Sequence, residues 1–122
     1  MKKVLVIDDT EETRELLYLG IIHIGARPLL AADGREGLEL AQKENPDLVI
    51  TDMVMPVQDG FTTLTRLKTT PGLSGIPVIV ITSKSIMETF IAKNPAIKIE
   101  AFFEKPFEVY VLMDKIRELL KI

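Results

Sequence analysis

The stretch that decides the fold runs from Leu48 to Gly60 and reads LVITDMVMPVQDG. Residues 48–51 are mostly apolar and favour β structure, so they predict a buried strand that ends at Asp52. A lone acid at the end of a strand is usually a turn residue or a helix cap. Whether Asp52 belongs to a site therefore depends on the other acids of the chain.

Two such acids follow the first apolar run. Val4 to Ile7 leads directly into Asp8 and Asp9. If this strand and the strand before Asp52 are parallel neighbours, three carboxylates converge on one edge of the sheet. Like charges so placed repel one another, and a protein keeps them together when a cation compensates. The pattern therefore predicts a cation site.

The composition narrows the class of protein. The chain has 122 residues, 47% of them hydrophobic, which suits one domain over 1–122. The net charge is -3 and there is no dense basic patch, so we expect no direct nucleic-acid partner. The absence of cysteine excludes disulfides, thiolate zinc sites and a cysteine nucleophile. Without a secretory signal or a membrane-length apolar run, we expect a cytoplasmic protein that makes no membrane contact.

Predicted strands and helices alternate along the whole chain. The alternation is typical of an α/β fold with a doubly wound, five-stranded parallel sheet and helices on both faces. Pro28 cannot donate to a ladder, so the second strand is expected at the edge of the sheet. The strands are predicted at 3–8, 27–32, 48–51, 78–82 and 98–103, and the helices at 10–24, 34–43, 61–68, 85–92 and 106–121.

Helical spacing predicts which residues of the first helix face the core. The inward stripe is Leu16, Leu17, Gly20, Ile21 and Ile24. Tyr18, Leu19 and Ile22 fall outside it, and His23 is interpreted as a surface residue.

A hydroxyl and an ammonium follow two later strands. Thr82 ends the fourth strand and Lys105 follows the fifth, so both point to the edge that carries the acids. Taken singly, Thr82 could cap the helix that starts near Ser83, and Lys105 could be a solvated loop lysine. Taken together with the acids, they supply what phosphoryl transfer to a carboxylate requires: a nucleophile, oxygen ligands for a divalent cation, and donors for phosphoryl oxygens.

The whole chain resembles a receiver domain of the two-component response regulators, the family that includes the single-domain chemotaxis regulator. The resemblance is carried by VLVIDD, AADGREGLELAQKENPDLVITDMVMPVQDG, IPVIVITS and FFEKPF, in the expected order and spacing. Any one of these motifs alone would be weak. The resemblance implies a flavodoxin-like strand order, 2-1-3-4-5.

The resemblance also implies a role for each acid. Asp52 is similar to the phosphoacceptor, which takes a phosphoryl group from a sensor histidine kinase, a phosphotransfer protein or a small donor such as acetyl phosphate. Asp9 and Asp52 resemble the carboxylate ligands of Mg²⁺, with the backbone carbonyl of Val54 as a third ligand and Asp8 acting largely through water. The chain would then be no enzyme beyond catalysing its own phosphorylation and slow autodephosphorylation.

Further positions carry over in the same way. Thr82 resembles the switch hydroxyl and Phe102 the switch aromatic, while Lys105 resembles the ammonium that pairs with the phosphoryl group. The bond from Lys105 to Pro106 is implied to be cis. Val54 and Lys84 resemble the two residues that flank the approach of water to the phosphorylated aspartate.

Partners follow from the resemblance as well. A kinase or phosphotransfer helix is expected near the first helix, where Tyr18 and Ile22 lie on the outer face. A downstream protein is expected at the face formed by helix 4, strand 5 and helix 5, and the chain is expected to be a monomer or weak dimer. The family's Gly-Ala pair before strand five is missing, and Lys98, Ile99, Glu100 and Ala101 stand there, which leaves the length and angle of helix 4 open.

Other classes of protein fit the sequence less well than the receiver family. A haloacid-dehalogenase-like phosphatase has two acids one residue apart after strand one, whereas Asp8 and Asp9 are adjacent. In a flavodoxin-like binder, the acidic loop DDTEETRE would repel a flavin phosphate. A receiver-like module that signals without phosphorylation would be expected to lack Asp52, Thr82 or Lys105, and none is missing. That module, or the isolated receiver of a larger regulator or hybrid kinase, remains the alternative, and the sequence does not say what is regulated.

Overall fold

The computed structural model describes residues 1–54 and 59–122, so 55–58 of the stretch quoted above lie outside the described residues. Strands and helices alternate as predicted. The strands are β1 Lys3–Ile7, β2 Arg27–Ala31, β3 Leu48–Thr51, β4 Val78–Thr82 and β5 Ala101–Glu104. The helices are α1 Glu11–His23, α2 Gly34–Glu44, α3 Gly60–Thr69, α4 Lys84–Lys93 and α5 Val109–Leu120.

The strands form one parallel sheet in the order β2-β1-β3-β4-β5, which confirms the predicted fold. β2 lies at the edge, as Pro28 indicated, because an edge position leaves one side of the strand without ladder bonds. In the pairing of β1 with β3, Ile7 is opposite Thr51. The next residues, Asp8 and Asp52, therefore leave the sheet side by side.

Alternate residues of the strands pack on the two faces, since side chains in a strand point to opposite sides. One face of the sheet is covered by α1 and α5, and the other by α2, α3 and α4. The first core contains Val4, Val6, Ile50, Ile79 and Ile81 with Leu17, Ile21, Leu112 and Ile116. The second contains Leu5, Ile7, Val49 and Val80 with Ala41, Leu64, Leu67, Met87 and Phe90. Both faces of the central strands are buried, which explains their continuous apolar runs.

The inward face of α1 is narrower than its sequence predicts. Leu17 and Ile21 are fully buried, but Leu16 is 44% exposed, so its placement in the core stripe was wrong. Leu16 lines a groove between α1 and α5. At the middle of that groove a Cβ on Gly20 would lie 2.9 Å from the Met113 sulfur, so glycine allows the two helices to approach closely there.

The region before β5 also differs from its prediction. β5 begins at Ala101 rather than Lys98 because the Glu100 side chain, not a strand backbone, accepts the hydrogen bond from the Val78 amide at 2.8 Å. α4 has 10 residues, and the Ser83 hydroxyl caps it by accepting from the Ile86 amide. No described helix is both long and apolar enough to cross a membrane.

Candidate functional site

Three carboxylates meet at the carboxyl ends of β1 and β3. Single oxygens of Asp8, Asp9 and Asp52 all lie within 4.8 Å of one another. Asp8 is 2% exposed and Asp52 is 6% exposed, whereas Asp9 lies at the surface. The convergence predicted from the strand ends is confirmed.

Backbone amides and one ammonium orient the Asp52 carboxylate. Oδ1 accepts from the amide of Met53 at 2.6 Å and from the amide of Val54 at 3.3 Å. Oδ2 accepts from Nζ of Lys105 at 2.9 Å. Hydrogen bonds to an ionised carboxylate are stronger than those between neutral groups. The carboxylate is therefore held in one orientation although it stands at the end of a strand.

A glycine allows α3 to begin against this loop. The amide of Gly60 donates to the carbonyl of Met53 at 3.0 Å. A Cβ at Gly60 would overlap the backbone of Asp52 and Met53, so a larger residue would displace the loop that carries Asp52. Sequence reasoning did not assign Gly60 a role, although an Asp-Gly pair at a predicted helix start was visible.

Lys105 bridges two of the acids. Its Nζ lies 2.9 Å from Oδ2 of Asp52 and 3.2 Å from Oδ2 of Asp8. Burial lowers the pKa of this ammonium, but hydrogen bonds and Coulombic attraction from Asp52 and Asp8 outweigh burial, so the pKa is raised above its ordinary value. Lys105 is thus charged at neutral pH and is not a solvated loop lysine. The bond that follows it, to Pro106, is cis.

Thr10 and Arg14 hold the loop after β1. The Thr10 amide donates to Oδ1 of Asp8 at 2.8 Å, and the Arg14 guanidinium donates to the Asp8 carbonyl at 2.7 Å. Thr10 occupies the N-cap position of α1 without a side-chain cap bond. The arginine in the first turns of α1 gave no sequence signal, because its partner is a backbone carbonyl rather than a side chain.

The other residues carried over from the resemblance lie around the same edge. Thr82 is buried at the end of β4, and Ser83 rather than Thr82 caps α4. Phe102 is half-buried in β5 opposite Val80 and packs against the core formed by α2, α3 and α4. Val54 and Lys84 are both exposed. Val54 follows β3, and Lys84 is the first residue of α4. Their roles stay predictions.

The donor set suits a hard divalent cation. Three carboxylates face a single ammonium in the pocket, which leaves an excess of negative charge. All of these ligand atoms are oxygens, the type that Mg²⁺ and Ca²⁺ prefer. The residues present therefore fit a cation of this class.

Exposed apolar residues concentrate on α1 and at the start of α5. Among the described residues, the large apolar side chains exposed on α1 and in the first turn of α5 are Leu16, Tyr18, Leu19, Ile22, Tyr110 and Val111. A second apolar groove lies between α4 and β5, lined by Met87, Ile91, Ile97, Ile99, Ala101 and Phe102. His23 is exposed, as expected.

Comparisons with known proteins agree with this geometry. A family model described as the response regulator receiver domain matches residues 4–117. Response regulator MprA of Mycolicibacterium vanbaalenii is 32% identical over 119 residues, which cover 98% of this chain and 50% of that protein. The chain thus spans about half the length of the curated relatives it matches.

Solved structures are similar over nearly the whole chain. The chemotaxis protein CheY4 of Vibrio cholerae has a TM-score of 0.87 at 28% identity, with 98% of each chain covered. The receiver domain of a signal transduction histidine kinase from Syntrophus aciditrophicus has a TM-score of 0.88 at 28% identity, with 99% of this chain and 91% of that chain covered.

Proposed function

Because this chain belongs to the response regulator receiver family of two-component signal transduction, we propose that Asp52 accepts a phosphoryl group from a phosphohistidine or from a small donor such as acetyl phosphate. One observation carries the proposal. The Asp52 carboxylate is almost fully buried, yet it is oriented by two backbone amides and lies 2.9 Å from the Lys105 ammonium. A buried carboxylate so held is suited to be a nucleophile rather than a turn residue.

The transfer is a simple displacement at phosphorus. A carboxylate oxygen of Asp52 attacks the phosphorus and forms a new O–P bond. The P–N bond of phosphohistidine, or the P–O bond of acetyl phosphate, breaks and its electron pair leaves with the imidazole nitrogen or the acetate oxygen. The product is an acyl phosphate on Asp52, and nothing is oxidised or reduced. Catalysis of such a step consists mainly of positioning and charge stabilisation.

The residues around Asp52 supply both. Lys105 donates to the Asp52 oxygen in the resting state and is placed to donate to a phosphoryl oxygen after transfer. Mg²⁺ bound by Asp8, Asp9 and Asp52, with the Val54 carbonyl as a further ligand, would neutralise charge on the phosphoryl oxygens. Beyond this step and slow autodephosphorylation, we propose no enzymatic activity.

Phosphorylation changes the positions of Thr82 and Phe102, which lie on the β4 and β5 side of the pocket. Thr82 stands at the end of β4, and Phe102 lies in β5 at the groove that separates β5 from α4. A move of the Thr82 hydroxyl toward the phosphoryl group would free space for the Phe102 ring to turn inward. The α4, β5 and α5 face would then bind a downstream protein in one state better than in the other.

The donor is proposed to dock on α1. The acid pocket opens next to the N-terminal end of this helix, and its outer face carries exposed apolar side chains, including Tyr18 and Ile22. A sensor histidine kinase or phosphotransfer protein, acting in the cytoplasm, would cover these residues while it presents its phosphohistidine to Asp52.

A second candidate function concerns the larger protein in which this receiver acts. One similar structure is the receiver of a histidine kinase, and the curated relatives are about twice as long as this chain. The chain could therefore act within a hybrid kinase or a larger regulator, or as an interaction module without phosphorylation. The first two settings keep the chemistry at Asp52, and the third abolishes it.

Intact-protein mass spectrometry after incubation with acetyl phosphate and Mg²⁺ tests the proposal. The parent is expected to gain one phosphoryl group, and Asp52→Ala is expected to gain none. Asp114→Ala, which removes an exposed aspartate on α5, is the matched control and should behave as the parent does. No gain by the parent, or an equal gain by Asp52→Ala, would contradict phosphoryl transfer to Asp52.

A further inference from the structure

Glu100 joins three parts of the fold at the end of the sheet opposite Asp52. Its side chain is only 16% exposed, and Oε1 accepts from the amide of Val78 at 2.8 Å. The same carboxylate lies 3.7 Å from the ammonium of Lys68 at the end of α3 and 3.7 Å from that of Lys98. The amide of Glu100 in turn donates to the carbonyl of Val78 at 2.9 Å.

The strand that follows Glu100 is short and lies at the edge of the sheet. β5 has four residues, Ala101–Glu104, and pairs only with β4. None of the four is buried, whereas every residue of β4 is. A short edge strand of this kind opens more readily than central strands, so contacts at its start add to the packing of Phe102 and Phe103 in fixing its register.

The position of Lys105 depends directly on that register. Its amide donates to the Thr82 carbonyl at 3.1 Å, which continues the pairing of β5 with β4 up to the pocket. Because a strand advances about 3.3 Å per residue, a slip of two residues would move Lys105 by about 7 Å. A slip of one residue would turn its side chain to the other face of the sheet. Either slip would break the 2.9 Å contact with Asp52.

We propose that Glu100 is a positioning residue for phosphoryl transfer: its bond to Val78 and its ion pair with Lys68 hold β5 in register and so keep Lys105 on Asp52. For its catalytic consequence the inference rests on the proposed function of Asp52. The segment that carries Glu100 is the one that lacks the Gly-Ala pair of the receiver pattern. In this chain the start of β5 carries the Glu100 carboxylate, which pairs with Lys68 and Lys98.

The test compares Glu100→Ala with Glu100→Gln in the 122-residue chain. The first readout is amide hydrogen exchange at Val78 and Lys105, measured by NMR without a phosphodonor. In Glu100→Ala both amides should exchange about tenfold faster or more, as expected for the loss of a hydrogen bond to a charged acceptor. Glu100→Gln should restore part of the protection, because its amide oxygen can still accept from Val78 while the ion pair with Lys68 is lost.

Asp47 offers a matched control at the same end of the sheet. Its Oδ2 accepts from the amide of Lys3 at 2.8 Å, the same type of bond at the start of β1. β1 is a central strand with β2 and β3 on its two sides. Asp47→Ala should therefore speed exchange at Lys3 and leave Lys105 protected. Unchanged protection of Lys105 in Glu100→Ala, or equal loss in Asp47→Ala, would overturn the inference.

The second readout is the rate of phosphorylation by acetyl phosphate. Glu100→Ala should be slower than the parent, and Glu100→Gln should recover part of the rate. If the parent is not phosphorylated at all, the proposed function fails, while exchange at Lys105 still decides whether Glu100 holds the strand. A parent-like rate in Glu100→Ala with a freely exchanging Lys105 amide would refute the positioning role. If Glu100→Ala does not fold, Glu100→Asp, which shortens the carboxylate arm, should show the same changes in weaker form.

Discussion

The ammonium of Lys105 lies 2.9 Å from Oδ2 of Asp52, although 53 residues separate the two in the chain. The contact exists because β3 and β5 flank β4 in a parallel sheet, so residues that follow each strand meet at one edge. Lys105 offsets one negative charge of a pocket that holds three carboxylates. The remaining negative charge favours a divalent cation.

Removal of the Lys105 charge should slow phosphorylation more than it weakens cation binding. Lys105→Met keeps most of the side-chain length but loses the donor to Asp52. We expect phosphorylation by acetyl phosphate to slow by about 10²- to 10³-fold, the usual cost of losing one charge-stabilising donor. Mg²⁺ binding should persist because all three acids remain. Rates from intact mass, with Mg²⁺-induced melting shifts in parallel, provide the measurement.

Lys115→Met is the matched control for this prediction. Lys115 has the same side-chain exposure as Lys105, 32%, and pairs with Glu118 at 3.1 Å on α5, away from the pocket. The Lys115→Met variant should be phosphorylated on Asp52 at the parent's rate. A Lys105→Met protein that reacts as fast as Lys115→Met would rule out a role for this ammonium in the transfer.

Mg²⁺ should stabilise the folded chain. A cation that binds only the native state relieves repulsion among Asp8, Asp9 and Asp52 and shifts unfolding by mass action. At a concentration about 100 times the dissociation constant, the gain in the free energy of unfolding is about 2.7 kcal/mol. Thermal melts across a Mg²⁺ titration should show a rising melting temperature in the parent and in Asp114→Asn, but a much smaller rise in Asp9→Asn. A flat titration for the parent would exclude a site of useful affinity.

The meeting of the acids could be predicted from sequence, because the carboxyl ends of parallel strands lie side by side at one edge of the sheet. Asp8 and Asp52 follow apolar runs, and once the strands pair, their meeting needs no further information. Leu16 was misplaced because periodicity shows which residues share a face, whereas its burial depends on how far α5 reaches across α1. Arg14 and Glu100 were missed for another reason. Both act on backbone groups distant in sequence, the Asp8 carbonyl and the Val78 amide, and no side-chain pattern encodes such partners.

The outer face of α1 should matter for transfer from a protein donor only. Tyr18 and Ile22 are exposed one helical turn apart, so a docked helix would bury both. Tyr18→Ala combined with Ile22→Ala should slow phosphotransfer from a histidine kinase at least tenfold and leave acetyl phosphate reactivity unchanged. Ile91→Ala, an exposed apolar residue on α4, serves as control and should not slow the kinase reaction. Equal rates for the double variant and the parent with both donors would remove α1 from the docking surface.

The phosphorylated form should be long-lived, because neither of the two residues predicted to flank the approach of water to Asp52 can activate a water. The Val54 side chain has no hydrogen-bonding group. Lys84 stands at the first position of α4, where its exposed ammonium lies 4.0 Å from Glu88. Near the phosphoryl oxygens such an ammonium would obstruct water without accepting its proton. Val54→Asn combined with Lys84→Glu should therefore speed hydrolysis of the acyl phosphate on Asp52.

The measurement is the decay of phosphorylated protein after removal of the donor, with Mg²⁺ present and no phosphatase. Arg35→Glu supplies the control, because it reverses the charge of another exposed i,i+4 ion pair, with Glu39 near the start of α2. If charge reversal in an early helical turn had a general effect on stability or lifetime, this variant would show it as well. We expect the double variant to decay faster than both the parent and Arg35→Glu. A parent that loses its phosphoryl group as fast as the double variant would mean that Val54 and Lys84 do not set the lifetime.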